Sequence, residues 1–261
     1  MFDFDALEAE LAGTIFAGRL HFAPVTSSTN DDALTAARGG APHGSVWFAD
    51  EQLAGRGRGG NAWRSAAGEG LYVSTLLRLA ISAERRLLLP LAAGLAAAEA
   101  IGGVAGLAID LRWPNDLLIG SAKAGGILVE AGSDAAGGSF AVVGIGINVH
   151  QRGFDQGLAT AATSLDVAAG STVSRQALLI ALLRGLERES LALLDPATAA
   201  SVPARVEAAS SWVRGRAVEV HGPQACAGVT AGLNERGFLQ VETAQGRVTV
   251  QTGGIRGSSS V

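Results

Sequence analysis

The apolar positions of this chain change rhythm three times. Leu7, Leu11, Ile15 and Phe16 recur at helical spacing, with acids in the N-terminal half where a helix dipole favours them, which predicts a helix over 1–20. Ser27-Ser-Thr-Asn-Asp-Asp offers capping oxygens and Gly39-Gly40 a stop, so a short helix is expected over 31–38. Between 46 and 149 the pattern turns to short continuous apolar runs. Residues 46–49, 70–77, 108–113, 126–130 and 140–149 read as buried strands, and 87–101 as an Ala-rich core helix interrupted by Gly94. Leu and Ile at helical spacing over 174–194 predict an amphipathic helix ending near Pro196, and 203–209 a helical tail.

From Trp212 the texture becomes short alternating segments, 217–220, 228–231, 238–241 and 247–250, separated by Gly-containing turns at roughly 8–12-residue intervals. That is the pattern of a small β-barrel or sandwich. The expected class is α+β, a larger unit over 1–208 and a small one over 209–261, with Gly257-Ser-Ser-Ser-Val as a frayed tail.

Composition narrows the classes. The 261 residues are 48% hydrophobic and 17% charged, enough to bury a large core and too apolar for a disordered chain. The longest apolar runs, such as 87–98, fall short of the roughly 20 residues that span a bilayer, and the acidic N-terminus lacks the form of a secretory signal. No membrane span and a cytoplasmic location are expected. Cys226, the single cysteine, excludes an intrachain disulfide and a Cys-based metal site. His21, His43, His150 and His221 show no ligand spacing, and a net charge of −4 argues against general nucleic-acid binding.

Candidate chemistry begins at Gly55-Arg-Gly-Arg-Gly-Gly60. It matches the dinucleotide fingerprint, but the polar, Gly-broken Asn61-Ala-Trp-Arg-Ser-Ala-Ala-Gly68 follows instead of an apolar helix. The loop supplies backbone N–H groups and two guanidiniums suited to phosphate or carboxylate oxygens. A mobile Arg-Gly turn and an RNA-binding RGG segment fit the same residues. Arg112-Trp-Pro-Asn-Asp-Leu places an aromatic face and polar side chains at a strand end, though Pro-Asn-Asp is also an ordinary turn. Lys123 is the chain's one lysine against nineteen arginines, standing just before Gly125-Gly126 and a buried strand. It is either a compact charge for a developing anion or a surface lysine. Gly144-Ile-Gly-Ile-Asn-Val is a buried strand whose Asn148 amide needs partners.

Taken in order, Ser27-Ser-Thr-Asn-Asp, 50–63 with its Gly-Arg-Gly-Arg-Gly-Gly loop, Arg112-Trp-Pro-Asn-Asp-Leu, Lys123-Ala-Gly-Gly-Ile-Leu-Val-Glu, Gly144-Ile-Gly-Ile-Asn-Val and Ala162-Thr-Ser-Leu closely resemble the biotin–protein ligases. The resemblance runs from about residue 20 to the end. It implies a class II synthetase-like mixed sheet flanked by helices, a catalytic biotin- and ATP-binding domain over 1–208, and an SH3-like C-terminal domain over 209–261. The implied reaction activates biotin with ATP and Mg²⁺ to biotinyl-5'-AMP. The biotinyl group then passes to a lysine of the biotin carboxyl carrier domain of a carboxylase.

By the same resemblance Ser28, Thr29 and Asn30 line the biotin head-group pocket and Gln52 contacts the vitamin. Arg56, Gly57 and Arg58 form the loop over the adenylate. Lys123 meets the carboxyl and phosphate region, with Lys123 and Arg58 carrying the chemistry, and Gly126 allows close approach. Trp63, Asn115, Asp116 and Asn148 match positions near the nucleotide or metal, with no protein-bound metal site assigned. Only residues 1–20 precede the first motif, so a monofunctional enzyme without a DNA-binding domain is expected, monomeric or homodimeric. Asn61-Ala62, Ala124 and His150 depart from the family pattern. A lipoate or octanoate ligase and a non-catalytic biotin sensor are the rival readings.

Overall fold

The computed structural model describes residues 2–155 and 157–258, so the last three residues of the expected tail lie outside the described residues. The architecture is α+β, as expected. A seven-stranded sheet in the order β1-β2-β3-β7-β6-β5-β4 precedes a five-stranded antiparallel sheet in the order β11-β10-β9-β8-β12. In the first sheet β1 (Leu20–Thr26) runs parallel to β2 (Val46–Gln52). The other neighbours, β3 (Gly70–Leu77), β7 (Ser139–Asn148), β6 (Ala122–Ser133), β5 (Asp116–Ile119) and β4 (Asp110–Arg112), pair antiparallel. The sheet is therefore mixed.

Side chains alternate across a strand, so each strand divides its residues between two faces. Leu71, Val73, Ala141, Val143, Ile145, Ile147 and Ile127 join the main core with α4 (Leu89–Ala105) and α6 (Arg175–Ala192). Gly185 lets those two helices meet: a Cβ there would sit 3.3 Å from the Ala96 Cβ. On the opposite face α2 (Thr29–Arg38) covers Leu76, Phe140 and Val142 through Ala33, Leu34 and Ala37, and the functional residues share this face.

The expected helix over 1–20 is shorter: α1 is Phe4–Glu10, capped by Asp3, and turns lead into β1. Ile15 and Phe16 are packed from those turns, which is why they mimic a helical stripe. Strand β1 went unread because Pro24 and a half-exposed edge break its alternation. The strand expected over 126–130 extends back to Ala122, which puts Lys123 inside the sheet. Residues 83–105 form a helical stretch long and apolar enough to cross a membrane by length and composition, beyond the shorter run read at 87–98. More than half of its most apolar window is buried within the protein.

The second sheet comprises β8 (Arg214–His221), β9 (Cys226–Leu233), β10 (Leu239–Thr243), β11 (Gly246–Val250) and β12 (Gly254–Gly257). Gly257 thus belongs to a strand, not to the tail. Val218, Val220, Leu239, Val241 and Ile255 continue the main core, and Trp113 Nε1 donates to the Gly237 carbonyl at 3.0 Å. The connecting helix α8 (Val202–Ala208) is fastened by charge: Arg205 reaches the buried Glu189 of α6 through two bonds of 2.6 and 2.8 Å. The Glu189 side chain is 2% exposed, so removing Arg205 leaves a buried carboxylate with only the longer contact to Arg188 Nε at 3.8 Å. Arg205→Ala is expected to cost about 3 kcal/mol in denaturant unfolding; a loss under about 1 kcal/mol would show that Glu189 finds other compensation.

Candidate functional site

The site lies on the α2 face of the large sheet, where β6 and β7 present almost no side chain. In β6 and β7 Gly126 pairs with Gly146, and Gly144 lies between Ser74 of β3 and Leu128 of β6. Other groups fill the bared surface. A Cβ on Gly144 would fall 2.0 Å from Asn30 Oδ1, one on Gly146 2.6 Å from Trp63 Nε1, and one on Gly126 3.3 Å from Lys123 Cε. The glycines of the Gly-Ile-Gly strand are there because side chains lie flat on them.

Ser28, Thr29 and Asn30 open α2 with each residue no more than 5% exposed. Ser28 is the N-cap residue but forms no side-chain cap bond. Thr29 N donates to Gln52 Oε1 at 2.9 Å, and Gln52 Nε2 to Ser65 Oγ at 2.8 Å. Ser74 Oγ stands 2.8 Å from Thr29 Oγ1 and donates to Asn30 Oδ1 at 2.6 Å; Asn30 Nδ2 donates to Glu130 Oε2 at 2.8 Å. These buried polar groups are wired to one another across four elements. Such an arrangement suits a small ligand that itself carries fixed donors and acceptors.

The 55–63 segment folds as a tight hairpin. Trp63 N donates to the Gly55 carbonyl at 2.8 Å, Gly57 N to the Asn61 carbonyl at 2.7 Å, and Asn61 Nδ2 back to the Arg58 carbonyl at 2.7 Å. Gly59 and Gly60 take positive φ of 66° and 78°, a left-handed conformation that favours glycine. The two arginines diverge. Arg56 pairs with Asp31 at 2.6 Å and Glu130 at 2.9 Å, and the Glu130 bond chiefly raises its guanidinium above the ordinary value. Arg58 instead donates to the Gly253 carbonyl of the second sheet at 3.0 Å; burial lowers its guanidinium, partly opposed by the charge of Asp116.

Lys123 reaches the site through a β-bulge. Leu117 pairs with Gly125 but Leu118 with Lys123, so Ala124 is an extra residue in β6. Strict alternation would aim Lys123 with Ile127 into the core; the bulge turns it over Gly126 instead. Its ammonium lies 2.5 Å from Asp116 Oδ1 and 5.5 Å from the centre of the Trp63 ring. Arg112 takes the other Asp116 oxygen at 2.6 Å. One carboxylate thus faces two direct cations, with Arg58 also within its field, and the excess positive charge favours an anionic guest.

The predicted residues divide into groups. Ser28, Thr29, Asn30 and Gln52 lie together in the polar cluster at the start of α2, Lys123, Asp116, Trp63 and Gly126 in the charged floor beside it, and Arg56, Gly57 and Arg58 in the hairpin. Asn115 and Asn148 use their amides on backbone: Asn115 Nδ2 donates to the Ile127 carbonyl at 2.7 Å and Asn148 Nδ2 to the Thr163 carbonyl at 3.0 Å. They brace β6 from either side. His150 likewise pairs with Asp166 at 2.8 Å. Sequence reasoning missed Ser74 and Glu130 and gave Arg112 no role beyond its motif. The available signal for Glu130 was an acid two residues beyond Leu128 on the same face as Gly126.

Comparison with known proteins places this chain in a family. The model of the biotin/lipoate A/B protein ligase family matches residues 22–148. The biotin--[acetyl-CoA-carboxylase] ligase of Mycobacterium tuberculosis is 32% identical over 237 residues, covering 88% of this chain and 85% of that protein. The chain belongs to the biotin/lipoate A/B protein ligase family. The bifunctional ligase/repressor BirA of Bacillus subtilis is 38% identical over 166 residues, 63% of this chain and 51% of that protein, so the match spans about half of that relative. Among solved structures, the biotin protein ligase from Aquifex aeolicus in complex with biotin and ATP superposes with a TM-score of 0.79 at 28% identity, over 92% of this chain and 100% of that one.

A methyl group on the bared floor tests the geometry. Gly144→Ala is expected to evict the Asn30 amide at a cost of about 1–3 kcal/mol in denaturant unfolding, as over-packing does, with secondary structure by circular dichroism unchanged. Wild-type stability in that variant would mean the floor is not filled by Asn30.

Proposed function

We propose that this chain is an ATP-dependent biotin–protein ligase. The biotin carboxylate attacks the α-phosphorus of ATP, pyrophosphate leaves, and biotinyl-5'-AMP forms. A lysine amine of the acceptor then attacks the acyl carbon, AMP leaves, and the amide loses a proton. The acceptor in this reading is the biotin carboxyl carrier domain of a carboxylase, supported by the name of the M. tuberculosis relative. The biotin and ATP bound in the A. aeolicus structure support the substrates.

The observation that carries the reading is the adjacency of two unlike halves. A buried neutral pocket, Ser28 to Asn30 with Gln52, suits a ureido ring, and the cationic floor of Lys123, Arg112 and Arg58 suits carboxylate and phosphate. Carboxylate and triphosphate repel each other, so their meeting needs a fixed positive field more than it needs acid–base chemistry. The Lys123 ammonium, held by Asp116 and the face of Trp63, is placed to meet the charge that builds at the α-phosphate. Arg58 and the hairpin would hold the mixed anhydride against water.

No group of three or more His, Cys, Asp or Glu side chains that could hold a metal ion occurs among the described residues. Asp116, the carboxylate at the floor, has both oxygens taken by Lys123 and Arg112. Mg²⁺ binds through phosphates with one or two carboxylates at most, so we read it as arriving on the nucleotide. We assign catalysis to residues 1–208 and the small β domain to 209–261, with Arg58 to Gly253 as the contact that brings the second to the site. The net charge of −4 supports a protein acceptor in place of DNA.

Incubation with biotin, MgATP and a carrier domain should add one biotinyl group to the acceptor by mass spectrometry. Lys123→Ala removes one charge contact worth about 3 kcal/mol in the transition state, so adenylate formation should fall more than about a hundredfold; activity within about tenfold of wild type would sink the assignment. Replacing biotin by lipoate separates the two branches of the family. Arg58→Gly should release adenylate and label lysines of an added bystander protein. The chain's single lysine keeps self-labelling of the enzyme low in that assay. A variant as selective as wild type contradicts the retention role of Arg58.

A further inference from the structure

Within the polar cluster, the hydrogen bonds of Asn30, Ser74 and the Thr29 hydroxyl run in one order that a residue at the edge helps to fix. We propose that Glu130 is a positioning residue that sets the donor–acceptor order of Asn30, Ser74 and the Thr29 hydroxyl beside the biotin head group. The inference rests on the ligase reading above.

A carboxylate only accepts, so Asn30 turns its Nδ2 toward Glu130 Oε2, at 2.8 Å, and its Oδ1 toward Ser74, at 2.6 Å; the Leu128 carbonyl, a longer contact at 3.5 Å, favours the same order more weakly. Ser74 has one hydroxyl proton and gives it to Asn30. Its contact with Thr29 Oγ1 at 2.8 Å then runs with Thr29 as donor. That uses the Thr29 hydroxyl proton, and the ordered chain ends there. Gln52 is oriented separately: the Thr29 backbone N–H, a donor in any case, holds its Oε1 at 2.9 Å and leaves Nε2 on Ser65 Oγ at 2.8 Å. Each of these side chains is ambivalent alone, because amides flip and hydroxyls rotate. The chain becomes single-valued because its other end is a group that cannot donate.

Such a single order matters for a ureido ring, whose carbonyl needs donors and whose two N–H groups need acceptors. A pocket that interconverts between two orders presents the wrong partner part of the time. The same carboxylate also receives Arg56 at 2.9 and 3.2 Å, so pocket and hairpin share one anchor. The Glu130 side chain is 27% exposed within β6, three residues before its end, so its carboxylate is partly solvated as well as paired.

Glu130→Gln tests this, since an amide of the same size donates or accepts and restores the ambiguity. With full-length protein, MgATP and pyrophosphate release as readout, the biotin KM should rise about tenfold, the expected loss for a bond to a charged group, while the ATP KM stays within about twofold. Ser74→Ala cuts the chain one link further along and should raise the biotin KM by a similar factor. Glu130→Asp keeps an acceptor-only end and should recover part of the loss. An unchanged biotin KM in Glu130→Gln, equal rises in both KM values, or an Asp variant no better than the Gln one would overturn the proposal. If Glu130→Gln does not fold, the biotin KM of Ser74→Ala decides in the same two directions. Wild-type protein that releases no pyrophosphate with biotin would instead overturn the ligase reading itself.

Discussion

Everything at this site depends on a stretch of sheet that carries no side chains. Gly126, Gly144 and Gly146 leave a bare floor, and Asn30, Trp63 and Lys123 lie on it at distances where a Cβ would collide or crowd. Glycine weakens a strand interior, through entropy and lost packing. Here the strands tolerate it because β3 and β7 are buried and paired along their full length, and their other face packs against α4 and α6. The rigid, two-sided core is what permits an unfilled face.

On that floor two kinds of polar order meet. The pocket under α2 is neutral and directional, a chain of amides and hydroxyls with little freedom once its end is set. The floor around Asp116 is charged and less directional, with Arg112 and Lys123 on the two carboxylate oxygens. Head-group recognition calls for the first, since neutral hydrogen-bonding groups discriminate by shape. Phosphate chemistry calls for the second, since fixed positive charge in a partly buried place acts over several ångströms. The hairpin joins them by sending Arg56 to the acids beside the pocket and Arg58 to the second sheet.

The sequence announced much of this through glycines and order of motifs. Gly55–Gly60, Gly125-Gly126 and Gly144-Ile-Gly146 mark places where backbone must turn or something must approach, and the structure uses them so. The fold class was legible from the change of apolar rhythm. What escaped were features that exist only across elements. A bulge is one extra residue in a register, invisible until Leu117 and Leu118 are paired, yet it decides which face Lys123 serves. Glu130 looks like a solvated strand end until α2 brings Asn30 over it. Edge strand β1 lacks alternation because one of its sides is open, and the backbone carbonyls that the Asn115 and Asn148 amides meet lie 12 and 15 residues away.

The central claim is that this one site forms an acyl-adenylate before any acceptor arrives. Isotope exchange between pyrophosphate and ATP measures that step alone. With biotin present and no acceptor protein, label should pass from pyrophosphate into ATP, and the exchange should vanish when biotin is left out. Exchange that requires the acceptor, or that proceeds without biotin, would contradict the account.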